Sequence, residues 1–350
     1  MRPITVAVLG IVTVVAVGAT AAVVAERQPA TSLAKGQRLF GGLETKLAGA
    51  QVIEIAKGDT KFAVVRRGDA WVVPDKSDYP ARADVVRKAL VGLSELETVD
   101  TKTRNPELYS RLNLQDPSAE GSKAVQITVK DGQDGVLAGL LIGKKRSAPV
   151  GASGTPEMIY VRKAGEAQTW LAQGQLEVRD SALDWALRDV VDLAGDKVAA
   201  VELAQPGAKA FSVRREKPDD KDFKLSDVPA NKTVKSQWDV NAIASVLEAL
   251  TFDDVAKDGT LTLGAAKGTD RFRTKDGLTV TITLLPKDSE TWIKVEAAGE
   301  GDAAAPAKEI NQRTQGWLYR IPDYKRDKLL AKLDDLVQDP PKPEAGKPQG

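Results

Sequence analysis

Two of the residue types most used for chemistry are missing from this chain. Its 350 residues include no cysteine and no histidine. Without cysteine there is no disulfide, no acylated lipoprotein cysteine, no thiolate nucleophile and no thiolate metal ligand. Without histidine the commonest general base and the commonest transition-metal ligand are gone. A charge excess is lacking too, since Lys plus Arg number 50 and Asp plus Glu 49. That balance provides no broad field for polyphosphate, so nucleic acid is not expected as a partner. No cofactor and no metal site is expected either. What is present suits a globular protein: at roughly 150 residues per domain, the length allows two domains. Hydrophobic residues at 42% are enough to give each a core.

Long apolar runs are scarce, with one exception. Between Arg2 and Glu26 stand 23 uncharged residues, PITVAVLGIVTVVAVGATAAVVA. As a helix rising ~1.5 Å per residue they would span about 34 Å, against ~30 Å of bilayer hydrocarbon. The run exceeds the ~7–15 apolar residues of a cleaved signal, although Val23-Val24-Ala25 could serve as a weak cleavage site. The reading is a single-pass transmembrane helix within residues 1–27. Positive charge at the amino terminus and Arg2 favours a cytoplasmic N-terminus. The body would then stand in the periplasm, outside a bacterial inner membrane, where ATP is lacking.

Beyond the anchor the chain repeats itself. In IEIAKGDTKFAVVRRGDAW and VELAQPGAKAFSVRRE, Glu54 matches Glu202 and Val65-Arg66-Arg67 matches Val213-Arg214-Arg215, at an offset of 148. Asp84-Val85 returns as Asp239-Val240 at 155, the extra residues fitting the insertion EKPDDKDF. Lys130-Asp131-Gly132 returns as Lys275-Asp276-Gly277 at 145, and Gln168-Thr169-Trp170-Leu171 as Gln315-Gly316-Trp317-Leu318 at 147. Asp180, Leu183 and Val190 match Asp327, Leu330 and Val337, again at 147. Blocks in one order at nearly constant spacing point to an internal duplication. The expected organisation is an anchor (1–27), a stem (28–50), two homologous units (51–196 and 197–337) and a Pro-rich disordered tail (338–350).

Each unit has the same local pattern. QVIEI and KFAVV are β-branched runs parted by Lys57-Gly58-Asp59-Thr60, a hairpin signal, and Trp71-Val72-Val73 is a third strand. Val86, Leu90 and Leu93 recur at helical spacing behind Pro80, which suits a first helical turn. In the second unit Val240, Ile243, Leu247 and Leu250 form the matching stripe, with Ser236 placed to cap it three residues before Asp239. Hairpins are expected around Asp131-Gly132 and Asp276-Gly277, strands around Tyr160 and Trp170, and a closing helix at ALDWALRDVV. KKRSAPVGASGTPE and GEGDAAAPAKE read as loops. The fold class is α+β: two units, each a mostly antiparallel sheet with covering helices.

The order of these pieces resembles the domain-of-unknown-function 4340 family. The residues that carry the likeness are Trp71 followed by Tyr79-Pro80-Ala81, the segment Tyr109 to Pro117, Gly143, Tyr160 and Arg179-Asp180. Members are bacterial, typically with one N-terminal span, and are often associated with ABC-type transport systems of the gliding-motility kind. The resemblance implies an envelope protein whose partner is an ABC-type permease or its auxiliary subunit. It brings no catalytic residues with it.

No motif completes an active site. Ser32-Leu-Ala-Lys35 has the Ser-x-x-Lys spacing but no Lys-Thr-Gly partner. Gly139 to Lys144 falls one residue short of a phosphate loop, and Lys145 stands where Ser or Thr is required. Gly151-Ala-Ser153-Gly154 misses the nucleophile-elbow spacing. The carboxylates at Asp219-Asp220-Lys221-Asp222, Asp253-Asp254 and Asp334-Asp335 lack the intervals and the glycine of a calcium loop. They read as solvated surface. The repeated pairs Arg66-Arg67 and Arg214-Arg215 are candidates for anion or partner contact. Strand neighbours point to opposite faces, and an arginine can hold a carboxylate or phosphate with two hydrogen bonds. Trp71, Tyr109 and Trp292 are candidates for a partner groove. The expectation is a non-enzymatic accessory or scaffold component. A binding module for a small anionic solute or glycan is the alternative, and a carboxylate-based hydrolase stands behind both.

Overall fold

The computed structural model describes residues 36–146 and 157–340. The expected anchor, Ser32 to Lys35, the Ser153 loop and most of the tail lie outside the described residues. Among the described residues no helix is long and apolar enough to cross a membrane. The architecture is α+β, with mostly antiparallel sheets and few helices. The chain divides into two compact units, one ending at Leu187 and the other beginning at Arg188.

The first unit is built on strands β1 (Val52–Lys57), β2 (Thr60–Arg67), β3 (Ala70–Val73), β4 (Tyr79–Pro80), β5 (Glu97–Thr101), β6 (Val125–Lys130), β7 (Val136–Arg146), β8 (Met158–Lys163) and β9 (Thr169–Gln173). Their order in the sheet is β4-β3-β2-β1-β6-β7-β8-β9-β5. Period-two alternation sends Ile53, Ile55, Phe62 and Val64 to the core, where Ile53 pairs with Val64 and Ile55 with Phe62. Gly58 takes φ 54° in the tight turn that closes β1 onto β2, a region costly for residues with a Cβ. Helix α1 (Ala83–Glu95) buries Val86, Ala89, Leu90 and Leu93, one stripe at helical spacing. Each such valine or leucine taken from water contributes about 1.5–3 kcal/mol.

The second unit carries β10 (Asp189–Val191), β11 (Val198–Ala204), β12 (Phe211–Arg214), β13 (Lys224–Leu225), β14 (Thr233–Val234), β15 (Leu250–Thr251), β16 (Asp254–Lys257), β17 (Gly268–Thr274), β18 (Thr279–Lys287), β19 (Glu290–Ala298), β20 (Trp317–Arg320) and β21 (Val337–Gln338). Its main sheet runs β13-β12-β11-β17-β18-β19-β20-β16, while β10 pairs with β15 and β14 with β21. Helix α2 (Gln237–Ala244) is capped as its sequence suggests, the Asp239 amide donating to the Ser236 hydroxyl at 3.3 Å. Helices α3 (Ala304–Thr314) and α4 (Asp323–Leu329) and the single turn α5 (Leu333–Leu336) follow.

Several local expectations change. Pro80 lies in β4 and not in a helical turn. With no N–H to donate, it suits an edge strand, and its carbonyl accepts from the Leu187 amide at 2.9 Å. ALDWALRDVV forms no closing helix: Ala182–Asp184 is one 3₁₀ turn and Asp189–Val191 is β10. Its buried pairs, Trp185-Ala186 and Val190-Val191, fall five residues apart, so at ~100° per residue they would spread over more than half of a helix's circumference. The opposite correction holds for Gly299 to Glu309, read as a loop, where α3 begins at Ala304. Alanine favours helix, and Pro306 in the first turn removes no needed donor. Ala303, Ala307, Ile310 and Thr314 then form the buried stripe, and Asn311 grips Ala297 through both of its backbone groups, at 2.8 and 2.7 Å. Residues 36 to 50, read as stem, pack into the first unit from Leu39 and Leu43 inward.

Candidate functional site

The clearest concentration of open positive charge lies on the second unit's main sheet. Alternation along β11, β12 and β17 turns Val201, Val213 and Phe272 into the core and leaves Ala200, Arg214 and Arg273 on the other face. The register then sets them in one row: Lys224 opposite Arg214, Arg214 opposite Ala200, Ala200 opposite Arg273, Arg273 opposite Thr279. Directly paired residues of antiparallel strands share a face. Ala200 is the small residue between two arginines, and no carboxylate stands in the row. Neither the Arg214 nor the Arg273 side chain is hydrogen-bonded or ion-paired among the described residues.

The next row holds the counter-charge. Glu202 faces Ser212 on one side and Arg271 on the other, and the Arg271 guanidinium lies 4.0 Å from its carboxylate. Asp227 at the rim bonds Lys209 at 2.8 Å, which holds its carboxyl below the usual range, with Arg214 adding a smaller pull. Ala200, Arg214 and Arg273 line a cleft of about 340 Å³ with Glu202, Asp227 and Arg271.

Arg215, one residue on, is committed elsewhere. Its Nε donates to the Val198 carbonyl at 3.0 Å and another guanidinium nitrogen to that of Gly195 at 3.1 Å, while the group lies 4.2 Å over the Phe223 ring. It forms one wall of a larger cleft of about 650 Å³, which Lys221, Lys275, Asp219 and Glu248 also line. In the first unit Arg66 faces Trp71 across the strand pair and donates to the Gly68 carbonyl at 3.2 Å. Arg67 is exposed, 4.0 Å from Asp78.

The three candidate groove aromatics are placed differently from an open groove. Tyr109 is buried with Leu114, Ala124 and Leu141, its hydroxyl donating to the Ala167 carbonyl at 2.6 Å. Burial pushes its hydroxyl pKa up, opposed by the Arg162 guanidinium that lies 4.6 Å over the ring. Trp292 is buried and donates to Glu290 at 3.2 Å, and Trp71 is half-buried. Among the described residues the exposed aromatics are two others: Trp238 on α2 is 71% exposed and Tyr324 on α4 is 65% exposed. The two helices are neighbours, and the Lys328 ammonium lies 4.9 Å over the Trp238 ring. Trp238 had a sequence signal, since it falls off the stripe of Val240 and Ile243. So did Arg271 and Arg273, which alternate with a core residue in RFR.

One acid stands apart. Asp270 is fully buried on β17 between Leu203 and Ile282, and neither carboxyl oxygen has a hydrogen-bond partner of ordinary geometry. Burial pushes its carboxyl up to about 8, with the Ala204 backbone pulling weakly the other way. A raised carboxyl is what a hydrolase acid would need. Asp270 lines neither cleft, so no substrate atom could reach it there.

Fold and site thus define an α+β protein with a basic sheet face and an exposed aromatic pair. The chain belongs to the family described as a domain of unknown function, DUF4340, whose model matches residues 71–270, more than half of its length. Comparison with curated proteins and with solved structures gives no match. The residues that carry the family likeness are occupied with structure. The Tyr79 hydroxyl donates to the Leu187 carbonyl at 3.0 Å, and Asp180 takes an ion pair from Lys57. At Gly143 any Cβ would lie 2.2 Å from the Leu112 carbonyl oxygen.

Proposed function

We propose that this protein is a membrane-anchored, non-enzymatic component of the bacterial envelope that braces a partner protein, an ABC-type permease or its auxiliary subunit. The observation that carries the contact is the exposed pair Trp238 and Tyr324 on neighbouring helices. A tryptophan left mostly in water is unusual in a settled surface, and aromatic residues are enriched where partners dock. In this reading residues 3–25 form the anchor and the body stands on the periplasmic side. Its two units descend from one duplicated α+β unit. Support for that descent comes from the sheets: once the two-residue β4 is set aside, their strand orders correspond strand for strand.

The test is in-cell photo-crosslinking from position 238 or 324 of the full chain, followed by purification in mild detergent and mass spectrometry. A permease or auxiliary subunit should be captured, and capture should be lost when residues 3–25 are replaced by an unrelated span. Recovery of the chain alone from both positions would remove the scaffold reading.

A further inference from the structure

The row Lys224, Arg214, Ala200, Arg273 and Thr279 leaves two arginines uncommitted on either side of a methyl group. Neighbouring strands lie ~4.8 Å apart, so the Arg214 and Arg273 Cα atoms stand about 10 Å from each other across Ala200. Two extended arginines can span that gap from opposite sides, and Ala200 leaves the space above it empty. A monocarboxylate presents one edge, which a single guanidinium fork saturates. A tetrahedral dianion has oxygens on both sides and can use both forks. We propose that this face of the second unit binds a phosphate or phosphomonoester group, with Arg214 and Arg273 as its two clamps. The arrangement is local. Arg271 is already offset by Glu202, and Lys209 by Asp227, so an overall charge of +1 coexists with one open cationic row.

The experiment is calorimetric titration of the full chain, in mild non-ionic detergent at low salt, with inorganic phosphate, glycerol 3-phosphate and acetate. Binding of either phosphate, with acetate much weaker, is expected. Arg214→Gln and Arg273→Gln should each weaken it about tenfold, the size of one lost charge-assisted contact. Arg67→Gln, on the first unit, should change it no more than about twofold. All three positions are exposed, and matching far-ultraviolet dichroism and melting curves will show that the variants fold. A preference for glycerol 3-phosphate would point to an esterified source such as a lipid headgroup or a phosphorylated sugar, and equal binding to the free ion. Absence of binding to both phosphates, or binding indifferent to Arg214 and Arg273, would overturn the assignment.

Discussion

Glu54 and Glu202 occupy matching places in the two units, each with a basic residue in reach, and they end in different surroundings. In the first unit the Lys130 ammonium meets Glu54 at 2.7 Å with the two side chains only 11% and 21% exposed. In the second, Arg271 stands 4.0 Å from Glu202 with both side chains close to half exposed. The arginine pairs part in the same way. Arg66 turns to the backbone of its own turn, whereas Arg214 is left open in a row with Arg273. Strand alternation assigns a residue to a face, but what covers that face decides whether its charge is spent internally or remains available.

The largest test of this contrast lies on the inner face, where the second unit buries Asp270 and the position 145 residues earlier is Val125. Unfolded, this carboxyl ionises near 3.8; folded, it holds its proton up to about 8. Its contribution is therefore most favourable below about pH 4 and is lost progressively as pH rises toward 8, because folding must take up a proton. Asp270→Asn should stabilise the protein by about 5 kcal/mol at pH 7.5 and by almost nothing at pH 4. Urea unfolding at the two pH values checks this, and an equal effect at both would count against a buried neutral acid.

A smaller effect separates the two glutamates. Glu54→Ala leaves the Lys130 ammonium nearly buried without its partner and should cost about 2–4 kcal/mol. Glu202→Ala removes a loose, half-exposed pair and should stay within about 0.5 kcal/mol. Comparable losses in urea melts would show that the two faces are equally dry. The smallest contrast is between arginines. Arg215→Ala gives up two carbonyl contacts and the Phe223 stack, about 1–2 kcal/mol, while Arg67→Ala should change the melt by less than about 0.5 kcal/mol.

The hairpins at Asp131-Gly132 and Asp276-Gly277, the strands at Tyr160 and Trp170 and the capped start of α2 were all legible, because alternation, turn residues and caps act over a few neighbours. Helix α3 was hidden by its glycine- and proline-containing approach, although Ala303, Ala307, Ile310 and Thr314 already spelled its stripe. Pro80 read as a helix start because a proline that begins a helix and one on an edge strand look alike in sequence. The α+β class, the antiparallel hairpins and the family likeness were determined by the sequence alone, since each depends on local pattern and residue order. Tertiary structure alone decided that Tyr109 and Trp292 are core, that Trp238 and Tyr324 are exposed, and that Arg214 and Arg273 flank one alanine. Register between distant strands and burial by distant elements are long-range properties, and no short stretch of sequence encodes what will be packed against it.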